Sequence, residues 1–197
     1  MKKPDIIVAL DMVIGCFEEL EIAYYIGGSV ASSAYGIARA TMDVDLVANV
    51  EIHHVKRLVK ALEKDYYIDA EMIRDAIGRS ASFNLIHLAT MLKIDVFIVK
   101  DQPYDSEALT RRQPDTLDEE SSRKFYLSSP EDIILNKLQW YQSSGGVSQQ
   151  QWKDVLGVLK VQADKLDLEY LKSWASKLNL SDLLNRSFDD AGMIESA

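Results

Sequence analysis

Apolar positions along the chain change their spacing several times, and each spacing predicts a different element. Ile6, Leu10, Val13, Phe17 and Leu20 recur at helical intervals, which predicts an amphipathic helix at the start of the chain. Ala23 to Ile26 reads as a strand stopped by Gly27-Gly28, and Asp43 to Val50 as a second strand. Val55, Leu58, Val59 and Leu62 give a helix over residues 54 to 64. The run from 83 to 99, FNLIHLATMLKIDVFIV, reads as two strands joined by a short turn near Ala89–Met91. Alternation of this kind predicts an α/β (α+β) fold with helices packed on a mixed sheet.

The second half differs. Between Asp101 and Ser129 lie Pro103, Pro114 and the acidic run DTLDEESS, which predict a loop-rich connector. After it the pattern is helical. Ser129 stands as an N-cap candidate, with Pro130 at the first helical position and Asp132 in the first turn. The run Ser143-Ser144-Gly145-Gly146 ends that helix, and more follow at about 148–162, 167–178 and 181–191. The expected organisation is an α/β core over 1–103, a connector over 104–128 and a helical C-terminal unit over 129–197 packed on the core. No repeat or low-complexity segment interrupts it.

Composition narrows the classes. With 47% hydrophobic and 27% charged residues, the chain has the balance of a globular protein. The opening MKKPDIIVAL resembles a leader only superficially, because Asp5, Asp11, Glu18 and Glu19 interrupt it. It is expected to stay in the mature protein. No apolar run approaches the roughly 20 residues of a spanning helix, so no membrane segment is expected. The single cysteine, Cys16, forbids an internal disulfide or a cysteine-based metal cluster. A reducing, cytoplasmic location follows as the default. A net charge of -9 argues against a broad nucleic-acid-binding surface, which needs basic groups to release counterions. A local patch for a nucleic-acid end stays open.

The chemistry is concentrated in YIGGSVASSAYGIARATMDVDLVANV. Glycines suit a turn whose backbone must approach phosphate oxygens closely, and Gly27-Gly28 is followed by Ser29 at the start of a helix-like stretch. The N–H groups there favour an anion, and the hydroxyl of Ser29 adds a donor. Asp43 and Asp45, two apart on a strand, project from the same face. Paired carboxylates repel unless a cation sits between them, and hard oxygen ligands suit Mg²⁺ bridging protein and triphosphate, with Mn²⁺ as an alternative. In LKIDVFIVK, Lys93, Asp95 and Phe97 share one face. An Asp in an apolar strand is costly without a partner, and on a neighbouring strand Asp95 would complete the acid set.

These residues resemble the polymerase-β-like nucleotidyltransferase superfamily, whose pattern is a Gly-Gly/Ser turn, a dozen or so residues, Asp-x-Asp in a strand and a later strand Asp. The form GGSVASSAYGIARATMDVDL is similar to the bacterial group that includes the AbiEii-type abortive-infection toxins. The resemblance implies that Arg39 and Thr41 belong to the approach to the acids. On a helical wheel Ile133, Ile134, Leu138, Trp140 and Tyr141 share an arc that also holds Lys137, and a lysine there needs a counter-charge such as triphosphate or a route to solvent. In the AbiEii-type group such a lysine and an acid in the next helix are active-site members. Lys137 and Asp154 are the matching positions.

The resemblance therefore implies a nucleotidyltransferase core plus a C-terminal helical unit, with catalytic and metal-binding Asp43, Asp45 and Asp95. It also implies nucleotide contacts from Gly27, Gly28, Ser29, Arg39, Thr41, Lys137 and Asp154. The expected reaction is Mg²⁺-dependent transfer of a nucleoside monophosphate from an NTP, ATP among them, to a hydroxyl of an RNA end, a protein or a small molecule. A toxin role would bring an antitoxin partner. Plainer readings stand beside these. Asp43 and Asp45 can be solvent-facing acids of an edge strand, and Asp95 a structural partner of Lys93 or Lys137. Arg39 can pair with an acid, Asp154 can be an exposed helix residue, and the three tryptophans and three histidines are packing or surface groups. A catalytically inactive nucleotide-binding module is the alternative function, and a glycosyltransferase using Asp-x-Asp is a third.

Overall fold

The computed structural model describes residues 5–41, 43–117 and 123–193. The fold is mixed α/β and divides into two compact units, one of residues 1–27 and 41–127, the other of 28–40 and 128–197.

The first unit holds the sheet. Its strands are β1 (Tyr24–Ile26), β2 (Asp43–Ala48), β3 (Tyr66–Tyr67), β4 (Ser82–His87), β5 (Lys93–Ile98), β6 (Gln113–Asp115) and β7 (Phe125–Leu127). They lie in the order β3-β4-β5-β2-β1-β7-β6. β2 runs parallel to β5 and antiparallel to β1, so the sheet is mixed. One face carries Val44, Leu46, Ile94, Val96, Phe83 and Leu85, all buried. Their alternation with half-exposed neighbours is the period of two that one covered face imposes. The opposite face at the centre presents Asp43, Asp45, Lys93 and Asp95. The first helix, α1 (Asp5–Glu19), buries Ile7, Leu10, Ile14 and Phe17 along one stripe. Tyr66 on β3 donates its hydroxyl to the Ala9 carbonyl at 2.6 Å, tying sheet to helix.

The helix expected over 54–64 is α3 (Val55–Leu62), which buries Val55, Leu58 and Leu62, and two further helices in this unit have end signals that set their limits. In α4 (Ala70–Arg79), Asp69 caps the start by accepting from the Met72 N–H, and left-handed Ser80 closes the end. In α5 (Pro103–Thr110), Pro103 occupies the first turn after Gln102. The stretch expected as a loop-rich connector therefore contains a helix and two short strands. Proline was read there as a loop signal, yet its missing N–H costs nothing at a helix start. The acidic run over 118–122 lies outside the described residues.

The second unit is helical: α2 (Gly28–Tyr35), α6 (Pro130–Ser143), α7 (Gln149–Gln162), α8 (Leu168–Lys177) and α9 (Ser181–Ala191). Gly28–Ala40 thus clusters with the C-terminal helices rather than with the sheet. α2 packs on α6 and α7. The chain after α2 approaches α7 so closely that a Cβ on Gly36 would stand 3.0 Å from the Gly157 backbone carbon. α6 starts as expected, Ser129 accepting from the Asp132 N–H at 3.1 Å, and ends where Gly145 and Gly146 take positive φ. Ile133, Ile134, Leu138 and Tyr141 are buried, but Trp140 is 58% exposed and leaves the apolar arc assigned to it. Among the described residues no helix is long and apolar enough to cross a membrane.

Candidate functional site

Two charged clusters gather the residues singled out in the sequence, one in each unit. In the first unit, β2 is the middle strand of the sheet, so Asp43 and Asp45 are not acids of an edge strand. The parallel pairing of β2 with β5 sets Asp45 beside Asp95 and Asp43 beside Lys93. Because alternate residues of a strand share a face, the four side chains form a square on one side of the sheet. Three corners are carboxylates and the fourth is an ammonium. Asn84 of β4 lies next to Asp95 on the far side.

Local bonds hold two of the acids. The Thr41 hydroxyl donates to Asp43 Oδ1 at 2.7 Å. Lys93 Nζ contacts Asp95 Oδ2 at 2.7 Å, with side chains 46% and 21% exposed. The Lys93 ammonium is held above its ordinary pKa chiefly by that hydrogen bond, against some desolvation, and then by the charges of Asp95, Asp43 and Asp45. All three carboxylates are thus within electrostatic reach of one ammonium. The structural pairing of Asp95 with Lys93 is present, while Lys137 pairs elsewhere.

The donor set suits a hard divalent cation: only carboxylate oxygens, placed side by side by strand register, on a face open enough to admit an ion. The side chains are not yet gathered for one. Among the described residues no group of three His, Cys, Asp or Glu is arranged to hold a metal ion. Asp43 is engaged by Thr41 and Asp95 by Lys93, and carboxylate rotation about staggered side-chain bonds is the change that a cation requires.

The glycine turn stands where the chain passes from the first unit to the second. The Gly27 N–H continues the β1–β2 ladder by donating to the Asp45 carbonyl at 2.8 Å. Gly28, with φ of 54°, opens α2 in a backbone region that L side chains rarely adopt.

In the second unit, Asp154 of α7 is the hub. It lies 9% exposed, so it is no exposed helix residue. Lys137 Nζ donates to its Oδ2 at 2.8 Å, and Gln150 Nε2 to its Oδ1 at 2.8 Å. Arg39 Nε approaches Oδ1 at 3.4 Å, and Arg39 Nη2 also donates to the Ser29 hydroxyl. Burial pushes the Asp154 carboxyl up, but Lys137, Arg39 and Gln150 more than offset this and hold it below its usual range. The structure therefore brings together Ser29, Arg39, Lys137 and Asp154 in one cluster, and Asp43, Asp45, Asp95 and Thr41 in another.

The sequence reading missed Gln150 and placed Lys93 only in part. Gln150 sits one helical turn before Asp154, the spacing at which helix neighbours meet, so a search for i,i+4 partners finds it. Lys93 was assigned to the face of Asp95, but its place beside Asp43 depends on the strand pairing. That register cannot be read from one strand alone. Among the histidines, His54 and His87 are buried and His53 is exposed.

No family model matches the sequence, and no curated protein matches it. Solved structures do match in fold. The crystal structure of ANT(2″)-Ia in complex with adenylyl-2″-tobramycin aligns with a TM-score of 0.59 at 14% identity, over 89% of this chain and 99% of that one. The solution structure of the antibiotic-resistance factor ANT(2″)-Ia gives 0.56 at 16% identity, over 91% and 95%. An antigenic nucleotidyltransferase-like protein from Paracoccidioides brasiliensis gives 0.53 at 17% identity, over 94% and 93%. This chain has the nucleotidyltransferase fold.

Proposed function

We propose that the protein is a nucleotidyltransferase that moves a nucleoside monophosphate from an NTP onto an acceptor hydroxyl, with Mg²⁺ held by Asp43, Asp45 and Asp95. The observation that carries this reading is the strand register, which sets Asp95 beside Asp45 and leaves Asp43 two residues away on the same face. The trio lies on the face opposite the buried apolar residues of the same strands, which supports a role other than core packing. In this fold it is best explained as a cation site. Divalent ions would supply charge stabilisation to the attacking and leaving oxygens of an in-line displacement.

The chain's own residues have separable tasks. Thr41 fixes one oxygen of Asp43 and so sets which oxygen is presented. Asp95 is placed to accept a proton from an attacking hydroxyl, as well as to bind a cation. Ser29, Arg39 and Lys137 supply donors for phosphate oxygens, and Gly27 and Gly28 allow the backbone to come close to them. Asp154 orients Lys137 and Arg39 and keeps their charges in place while no triphosphate is bound.

A small-molecule hydroxyl is the acceptor we favour. The acidic net charge of -9 works against a long polyanion, and one structural neighbour is in complex with adenylyl-2″-tobramycin.

Calorimetric titration of ATP, GTP, CTP and UTP with Mg²⁺ or EDTA tests the reading. Magnesium-dependent binding of at least one NTP is expected, and its loss in the Asp43→Asn/Asp45→Asn variant. If folded wild-type protein takes up no NTP at millimolar concentration, the enzyme reading fails.

A further inference from the structure

The acid face has a fourth member with the opposite charge, and its position is set twice. Along β5, Lys93 lies two residues before Asp95 and shares its face; across the sheet it is the partner of Asp43. Its ammonium reaches Asp95 Oδ2 at 2.7 Å. A lysine whose only task was to keep β5 soluble would extend toward water, where a flexible ammonium is best hydrated. Here the ammonium instead turns to Asp95, although nearly half of the side chain is exposed.

We propose that Lys93 is a tethered cation that occupies the three-aspartate face until a divalent ion displaces it from Asp95. The inference rests on the reading of Asp43, Asp45 and Asp95 as a cation site. Lys93 would act in two ways. It takes the Asp95 oxygen that a metal needs, and its charge repels any second cation brought to the same face. The acids then hold a divalent ion weakly on their own, and much better when an incoming triphosphate adds negative charge. Lys93 is therefore a positioning residue that couples metal loading to nucleotide arrival, not a group that touches the reacting atoms.

The test is a Mn²⁺ titration followed by electron paramagnetic resonance, without nucleotide, on the full chain. Lys93→Met and Lys93→Gln are compared with wild type, Lys93→Arg and Asp45→Asn. Removing one charge from within a few ångströms on a partly screened surface should tighten Mn²⁺ binding about tenfold in the Met and Gln variants. Lys93→Arg, which keeps the charge, should stay within about twofold of wild type. Circular dichroism confirms that each variant is folded, and two neutral replacements guard against a poorly folded one.

If Asp45→Asn abolishes binding but the neutral variants bind Mn²⁺ no more tightly than wild type, the tethered-cation role is overturned and the metal site stands. If no protein binds Mn²⁺, or if binding is indifferent to Asp45→Asn, the cation-site reading falls and this inference falls with it. If only the neutral variants bind measurably, the blocking role is supported in its strongest form.

Discussion

On the sheet face three carboxylates share one ammonium, whereas around Asp154 one carboxylate is shared among Lys137, Arg39 and Gln150. Both clusters pair aspartate with lysine. On the sheet, backbone ladders and an apolar core on the far side hold the strands, so the acids can change partners without loosening the fold. In the helical unit, the side chains of Asp154 and Lys137 are each only 7% exposed, and a buried charge left without its partner is expensive. The contrast teaches how differently charge can be balanced: the sheet acids outnumber the one ammonium they share, while the Asp154 carboxylate is outnumbered by its donors.

The contrast can be broken experimentally, and the largest effect belongs to the Asp154 cluster. Lys137→Met should cost about 3 kcal/mol of stability in urea denaturation, the low end for breaking a buried pair, because Asp154 keeps Arg39 and Gln150 but loses its buried cation. Lys137→Met combined with Asp154→Leu should recover a good part of that loss. Next comes Asp45→Asn, which should weaken Mg²⁺-NTP binding about a hundredfold in calorimetry, worth about 2.7 kcal/mol, and leave the urea midpoint nearly unchanged. The reverse pattern would mean that the sheet acids are structural.

Titration sharpens the same comparison. The folded-state pKa of Asp154 is depressed, so its contribution to stability is complete above the unfolded carboxylate value of about 3.9. It is lost as pH falls below that value and through the folded one. Urea midpoints measured from pH 7 down to pH 3 should drop in wild type, and less steeply in Asp154→Asn. The smallest effects are at helix starts. Ser129→Ala and Asp69→Ala should each cost about 1 kcal/mol, with Ser129 the costlier because its hydroxyl also donates to buried Asp132 at 2.6 Å.

Much of this architecture was legible because long periodic runs leave little choice. The first helix, the strands before and after the glycine turn, the two strands of 83–99 and the helices after Ser129 all follow the apolar spacing. The second strand stops at Ala48, two residues short of the expected Val50. Where the pattern is short, reading failed. Helix Ala70–Arg79 went unassigned, since it buries only Ile73 and Ala76 and offers little stripe. Phe125–Leu127 is a three-residue strand in a stretch dominated by Pro114 and acids, and only pairing with distant strands defines it. The same limit applied to the candidate site. Alternation and resemblance single out Asp43, Asp45 and Asp95, and the structure sets them on neighbouring strands, but the position of Lys93 beside Asp43 is a property of two strands together.

The clustering of Gly28–Tyr35 with helices from the far end of the chain has a consequence during synthesis. At about 5–20 residues per second, this segment waits on the order of ten seconds for Gln149–Gln162 to be translated. Val30, Ala31 and Tyr35, buried in the finished protein, have no helical partner in the meantime. The sheet strands on either side of that segment are made early and can pair first. A nascent chain stalled before residue 128 would therefore hold Gly28–Tyr35 with its packing partners untranslated, too short to keep a helix on its own.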